Sequence, residues 1–502
     1  MPSVPPPLRP ERVAPVPLRR VCLVAGAGDS AGELSVTGIT HDSRAVRPGD
    51  LYAALPGFTT HGAQFAAQAA AAGAVAALTD AAGAAAVTAA GLAAVVVDDP
   101  RAVLGQVAAC VYGEPSSALL VIGTTGTNGK TTTSYLVDAG LRAAGHRTGL
   151  IGTVETRVAD VVVPSVRTTP ESTDLQALLA VMREREVTAA AMEVSSHALA
   201  LGRVRGTHYA AVGFTGLSQD HLDFHRDLDD YFEAKASLFT PVYAERGVVV
   251  AEDAWGERLL SQAAVPVRSL RRDRDADWVI SDVAVAADGG SSFTLTGPSG
   301  PLAASVRLAG AFNVANAALA LALLVEAGVD PRAAVTGVGS LAFVPGRMER
   351  VDAGQPFLAL VDYAHTPDAV ERVLVEARRL AAGHAVLAVL GCGGDRDADK
   401  RPLMGRALAT GADVAVLTSD NPRSEDPVAI LEQMRAGVPA SADAVVEPDR
   451  TSAIELVVRR ARPGDVVVVL GKGHEQGQES ATGVAPFDDR DVLRRALEET
   501  SA

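Results

Sequence analysis

Ala118-Leu119-Leu120-Val121-Ile122-Gly123-Thr124-Thr125-Gly126-Thr127-Asn128-Gly129-Lys130-Thr131-Thr132-Thr133 is the stretch that decides the fold. Its first six residues read as a buried strand, which feeds straight into a glycine-containing loop and then an amphipathic helical run. In such a unit Gly126 and Gly129 let backbone amides approach phosphate oxygens. Lys130 adds a point charge, and Thr131 offers a hydroxyl to Mg²⁺. A strict Walker A pattern wants glycine five places before Gly129, where this chain has Thr124. A glycine-rich turn carrying a chance lysine is the bland alternative; the strand and helix flanks weigh against it.

Two apolar runs follow, at 188–192 and 209–214, each ending in polar residues where an open parallel sheet places its ligand. Glu193 closes the first, where an acid can hold Mg²⁺ directly or through water. Asp220-His221-Leu222-Asp223-Phe224-His225 follows the second. His221 and His225, four apart, would also suit a zinc pair on a helix. Magnesium is the preferred reading, because no third soft ligand lies near and a phosphate loop calls for that ion. Lys235 reads by default as a solvated helix lysine, and residue chemistry alone gives no other role. Asn313 and Asn316 share a helix face. Arg347, in Pro345-Gly346-Arg347, is placed to reach a nucleotide from a hinge. Each of these three would in isolation pass for a helix cap or a surface arginine.

The chain has 502 residues, which favours three domains over one. We place a disordered proline-rich lead-in at 1–18, a first α/β domain at 19–117, a central parallel-sheet domain at 118–344 and a doubly wound domain at 345–502. Seven prolines in the first 17 residues, without a basic start or an apolar run, predict the lead-in and no secretory signal. With 48% hydrophobic and 21% charged residues, each domain can bury a core. A net charge of -15 argues against nonspecific nucleic-acid binding. Three cysteines without paired spacing suit a reducing, cytoplasmic setting. The weakly polar run 81–97 is mostly alanine and glycine, too short and too mild to span a membrane, and reads as a helix followed by a strand.

In the last domain, apolar strands at 358–361, 386–390, 414–418 and 466–470 alternate with helical segments, the pattern of a parallel sheet. Their ends carry Asp362, Arg396, Asp420-Asn421-Pro422-Arg423 and Gly471-Lys472-Gly473-His474-Glu475. Arginine forks suit carboxylates and acids suit an ammonium. Arg396, Arg423, Asp420 and Glu475 together match a zwitterionic amino acid; a structural salt-bridge cluster is the alternative.

Taken together, Thr125-Gly126-Thr127-Asn128-Gly129-Lys130-Thr131, Glu193-Val194-Ser195-Ser196-His197, Asp220-His221-Leu222-Asp223, Phe312-Asn313-Val314-Ala315-Asn316 and Pro345-Gly346-Arg347-Met348-Glu349 resemble the Mur ligase family. The resemblance spans nearly the whole chain after the proline-rich start. It implies three domains, for the UDP-substrate, for ATP and for the amino acid. It also implies an ATP-dependent amide-bond ligase of peptidoglycan synthesis, acting as a monomer through an acyl phosphate. ATP would lie on Gly126, Thr127, Asn128, Gly129, Lys130, Thr131, Thr132, Asn313, Asn316, Arg347 and Asp362. Lys130, Glu193, His221 and Lys235 would be catalytic. Thr131, Glu193, His221 and Lys235, the last as N6-carboxylysine, would hold Mg²⁺.

Within that family, Asp420-Asn421-Pro422-Arg423 resembles the recognition motif of members that add meso-2,6-diaminopimelate, with Arg396, Gly471 and Glu475 around the same amino acid. Diaminopimelate is lysine with a second ammonium–carboxylate centre, so an extra arginine matches the extra carboxylate and is left unpaired by lysine. For the precursor, UDP-N-acetylmuramoyl-L-alanyl-D-glutamate, the resemblance carries over Ser43, Thr59, Thr60, Thr168, Thr169, Ser195 and Arg203. Leu201 and Arg167 depart from the glutamine and asparagine of some relatives. The competing expectations are a folylpolyglutamate synthase-like ligase, which needs neither the 420–423 loop nor a domain built around Ser43, and an inactive nucleotide-binding regulator.

Overall fold

A computed structural model describes residues 8–28, 33–57, 59–163, 167–286, 289–442 and 444–501. Three parallel sheets follow one another along the chain. In the first, Gly38–Thr40, Asp50–Ala53, Ala76–Thr79 and Ala93–Val96 lie side by side, all parallel. Its small-residue strands and helices pack closely: Ala66, Ala69, Ala74 and Ala77 are buried around Val87 and Leu92.

The second sheet has eleven strands. Leu120–Thr125, the strand that enters the phosphate loop, lies between Ala189–Glu193 and Ala211–Phe214, both parallel to it. That register sets Glu193 opposite Thr124 and Phe214 opposite Thr125, so both neighbours end at the root of the loop. Glu193 is thus the last residue of its strand rather than the first beyond it. Helix Ala311–Glu326 packs an almost wholly apolar face, from Ala317 to Leu324, against helix Lys130–Ala143 and the sheet. The far edge, Ser291–Gly297 and Gly300–Val306, turns antiparallel.

The third sheet runs Leu358–Asp362, Val466–Leu470, Val386–Cys392, Val414–Ser419 and Ala444–Val446, all parallel, edged by the short antiparallel Glu349–Arg350. Its strands are continuous valine and leucine runs because helices cover both faces. The functional loops all leave the carboxyl ends of these strands.

The expected disordered lead-in needs correction. Residues 1–7 fall outside the described residues, but from Leu8 the chain is docked. Arg9 Nη1 and Nη2 donate to the two oxygens of buried Asp50 at 2.7 and 2.6 Å, and Glu11 N and Arg12 N donate to the Glu184 carboxylate. Val16–Pro17 then pairs with Ser35–Val36. A proline-rich composition signals disorder only where nothing pays the ordering entropy; here a two-pronged arginine–carboxylate pair does.

Candidate active site

The phosphate loop is shaped by its glycines. Gly126 has φ of 143° and Gly129 of 89°. A Cβ at Gly126 would run into Thr215 Oγ1, and one at Gly129 would come within 2.5 Å of Asn316 Oδ1. Helix Lys130–Ala143 starts immediately after, so its free N–H groups and positive dipole end face the loop. Thr131 Oγ1 donates to Glu193 Oε2 at 3.1 Å, while Arg347 Nη2, from the third domain, donates to Thr131 Oγ1 at 2.9 Å. Thr153 donates to Glu193 from its backbone N at 2.8 Å and from its hydroxyl at 3.0 Å.

Two amines converge on one oxygen. Lys130 Nζ reaches Gly126 O at 2.9 Å and Thr127 O at 2.9 Å, and Lys235 Nζ reaches the same Gly126 O at 2.8 Å. Lys235 is 1% exposed, with its Nζ 4.4 Å from the Tyr231 ring centroid. Burial, followed by repulsion from Lys130, holds the Lys235 amine well below its ordinary pKa. Lys130 is lowered as well, by burial. The solvated lysine expected from residue chemistry is therefore a buried amine whose charged form is disfavoured.

His221 stands beside them at φ +57°, on an irregular turn and not on a helix, so it and His225 do not form a helical zinc pair. His225 instead meets Ser196 Oγ at 3.0 Å and Asp230 at 3.4 Å. Among the described residues no three His, Cys, Asp or Glu side chains cluster as a metal site. Burial pushes His221 down to about 3, leaving its imidazole neutral and able to act as a ligand. Asp220 is raised by burial, but His221, His365, Lys400 and Lys130 outweigh that and bring its carboxyl to about 2.

The donor set around the loop fits magnesium. Thr131 and Glu193 supply hard oxygens, and Glu193 is already oriented by three hydrogen bonds. Lys235 as an ammonium would repel a divalent cation; as a carbamate it would bind one.

Two chambers open from this point. One, of about 220 Å³, is lined by Thr127, Asn128, Gly129, Thr132, Asn313, Asn316, Arg347 and Asp362. Asn316 Nδ2 donates to Asn313 Oδ1 at 3.0 Å, and the Asp362 oxygens accept from Met348 N and Ala364 N at 2.7 Å each. The other, of about 500 Å³, brings together Thr168, Thr169, Ser195, Arg203, Arg396, Asp420, Asn421, Arg423, Gly471 and Glu475. Tyr363 and His365 line both.

In the larger chamber Arg423, at φ +53°, donates to Glu479 Oε2 at 3.0 Å and to Gly394 O at 2.7 Å. Asn421 Nδ2 donates to Glu475 Oε2 at 2.8 Å, and the Pro422 carbonyl accepts from Glu425 N. Arg396 is exposed at the mouth. Gly471 has φ +110°, and a Cβ there would come 2.8 Å from Asp420 Oδ2. Thr168 Oγ1 lies 3.0 Å from Thr153 Oγ1, and Thr169 Oγ1 donates to Glu193 O and accepts from Ser195 N. Arg203 pairs with Glu171 at 2.9 Å. Ser43, bonded to Gln68, and the exposed Thr59 and Thr60 line neither chamber.

Residue chemistry gave five participants no role. Thr153 orients Glu193. Asp220 meets Lys400 at 3.8 Å and His365 at 4.0 Å across the seam between the second and third domains. Asp368 accepts from Asn128 Nδ2 at 3.1 Å across the same seam. Only the run Asp220-His221 carried a signal; Lys400, His365 and Asp368 gain meaning only once two sheets are docked.

Family models match this chain at residues 35–112 (Mur ligase family, catalytic domain), 124–324 (Mur ligase middle domain) and 346–473 (Mur ligase, glutamate ligase domain). The chain belongs to the Mur ligase family. It is 56% identical to the UDP-N-acetylmuramoyl-L-alanyl-D-glutamate–2,6-diaminopimelate ligase of Streptomyces coelicolor, over 99% of both chains. The protein of that name from Corynebacterium glutamicum is 48% identical, over 94% of this chain and 93% of its own. A solved structure of a ligase of the same name superposes with a TM-score of 0.66 at 32% identity, covering 98% of this chain and all of the other.

Proposed function

We propose that this chain uses ATP to join meso-2,6-diaminopimelate to the D-glutamate γ-carboxylate of UDP-N-acetylmuramoyl-L-alanyl-D-glutamate, a cytoplasmic step of peptidoglycan precursor synthesis. The observation that carries this reading is the meeting of two chambers at Tyr363 and His365, one on the phosphate loop, the other set with arginines and carboxylates for a zwitterion.

The precursor's γ-carboxylate attacks the γ-phosphorus of ATP in line, ADP leaves, and an acyl phosphate forms. Lys130 and the loop amides hold the phosphates, with Asn313, Asn316, Arg347 and Asp362 around the rest of the nucleotide. Thr131, Glu193, His221 and Lys235 would hold magnesium, which when bound neutralises phosphate charge. Thr168, Thr169, Ser195 and Arg203 hold the precursor in the larger chamber, and Ser43, Thr59 and Thr60 its UDP end. The amine of diaminopimelate, oriented by Arg396, Asp420, Asn421, Pro422, Arg423, Gly471 and Glu475, then attacks the acyl carbon; phosphate departs and the amide remains. Positioning supplies most of the rate. Third-domain contacts to Thr131, Asn128 and Asp220 keep water from the acyl phosphate.

The lowered pKa of the buried Lys235 amine favours its carbamylation, since only the unprotonated form attacks carbon dioxide. Mass analysis in bicarbonate should find one added carbon dioxide on Lys235; an unmodified lysine together with full activity of Lys235→Ala would exclude it. The reaction is tested by phosphate release from ATP with the precursor and diaminopimelate, L-lysine or neither. Release and a new amide with diaminopimelate alone support the reading; preference for lysine, or no turnover, overturns it.

A further inference from the structure

The larger chamber is braced by a lysine that does not line it. Lys472 sits in the turn after strand Val466–Leu470, its side chain fully buried. Its Nζ donates to Asn421 Oδ1 at 2.9 Å and to Glu475 Oε2 at 3.0 Å. Asn421 Oδ1 also accepts from Glu479 N at 2.9 Å, and Asn421 Nδ2 donates to that same Glu475 Oε2 at 2.8 Å.

These bonds fix the amide in one sense. Flipping Asn421 would set its NH₂ against the Lys472 ammonium and the Glu479 N–H, and its oxygen against a carboxylate. Glu475 is fixed with it. Oε2 is held by two donors, whereas Oε1 has no partner among the described residues, on a side chain 31% exposed that lines the chamber. A buried ammonium persists only where its charge and its donors are matched, and here both partners are chamber residues.

We propose that Lys472 is a positioning residue for amino-acid recognition: it locks Asn421 and Glu475 so that a single carboxylate oxygen is offered to the substrate ammonium, with the rest of the Glu475 charge compensated from behind. The inference rests on reading this chamber as the diaminopimelate site. It also bears on selectivity. The far end of lysine is a bare cation, while that of diaminopimelate is a zwitterion. A Glu475 stripped of Lys472 would offer more net negative charge and favour the bare cation.

The test is steady-state kinetics of the full chain with ATP, precursor and either amino acid, for the parent, Lys472→Met and Lys472→Gln, with Tm recorded for each. Loss of a charge-assisted bond to a recognition group should raise the KM for diaminopimelate about tenfold in Lys472→Met. The kcat and the KM for ATP should stay within about twofold, and the preference for diaminopimelate over lysine should fall. Lys472→Gln keeps one donor for Asn421 and should fall between parent and Met. A folded variant with the parental KM overturns the proposal, as does an equal loss in every constant, which marks a merely structural role. If Lys472→Met does not fold, Lys472→Gln decides on the same criteria. A parent that turns over without regard to diaminopimelate would instead defeat the reading of the chamber.

Discussion

The phosphate loop and the amino-acid chamber are built by opposite means. The loop takes its shape from one short run of chain: two glycines, the backbone carbonyls of Gly126 and Thr127, and the start of a single helix. The chamber takes its shape from side chains bonded to side chains between the segments that follow two strands, through Asn421 to Glu475, Lys472 to Asn421 and Arg423 to Glu479. The first needs only its local sequence and its strand register; the second needs the whole third sheet. Chemistry is therefore vested in the part that tolerates least change, and choice of amino acid in the part where single side chains can be exchanged.

The sharpest way to break this contrast is Lys130→Ala. Removing one charge from a preorganised phosphate site should cost about 10³-fold in kcat with either amino acid, because the loss lies upstream of amine attack. A selective loss with diaminopimelate alone would show that the two regions are not separate. Next, Arg423→Ala should raise the KM for diaminopimelate about 10²-fold, as expected when charge-assisted bonds worth about 1.5–3 kcal/mol each are lost, and leave the KM for ATP unmoved. A shift in ATP affinity would contradict the division.

Asp368→Asn tests the join. It weakens the bond from Asn128 to a carboxylate, and because a net hydrogen bond is worth about 0.5–1.5 kcal/mol, kcat should fall about two- to tenfold while Tm stays near that of the parent. The smallest effect concerns pH. Burial, with Arg347 and Arg490 nearby, lowers His474 to about 3 from an ordinary value of 6.5. Between those values the unfolded chain binds a proton that the folded chain refuses, so stability falls as pH drops through that window. His474→Gln should flatten the fall of Tm with acidification; an unchanged slope would show that this imidazole takes up its proton in the fold.

What the sequence made legible follows the same division. The 118–133 run is read from adjacency alone, and the third domain's strand ends are read from periodicity, because both signals sit in contiguous residues. Lys235 has no local mark: its character comes from Gly126 O and Lys130, more than a hundred residues away. Lys400, His365 and Asp368 are silent for the same reason, their partners lying on another sheet. Arg9 was hidden by its prolines, since composition does not register a carboxylate at Asp50.

Tyr363 and His365 form a wall common to both chambers. An inhibitor seated against it from the nucleotide side meets residues that the amino-acid side also requires. A resistant variant that reshapes this wall to exclude the compound must then handicap two substrates at once, whereas one arising at the far end of either chamber handicaps only one. Escape by mutation should accordingly be rarer here than anywhere else along the two cavities.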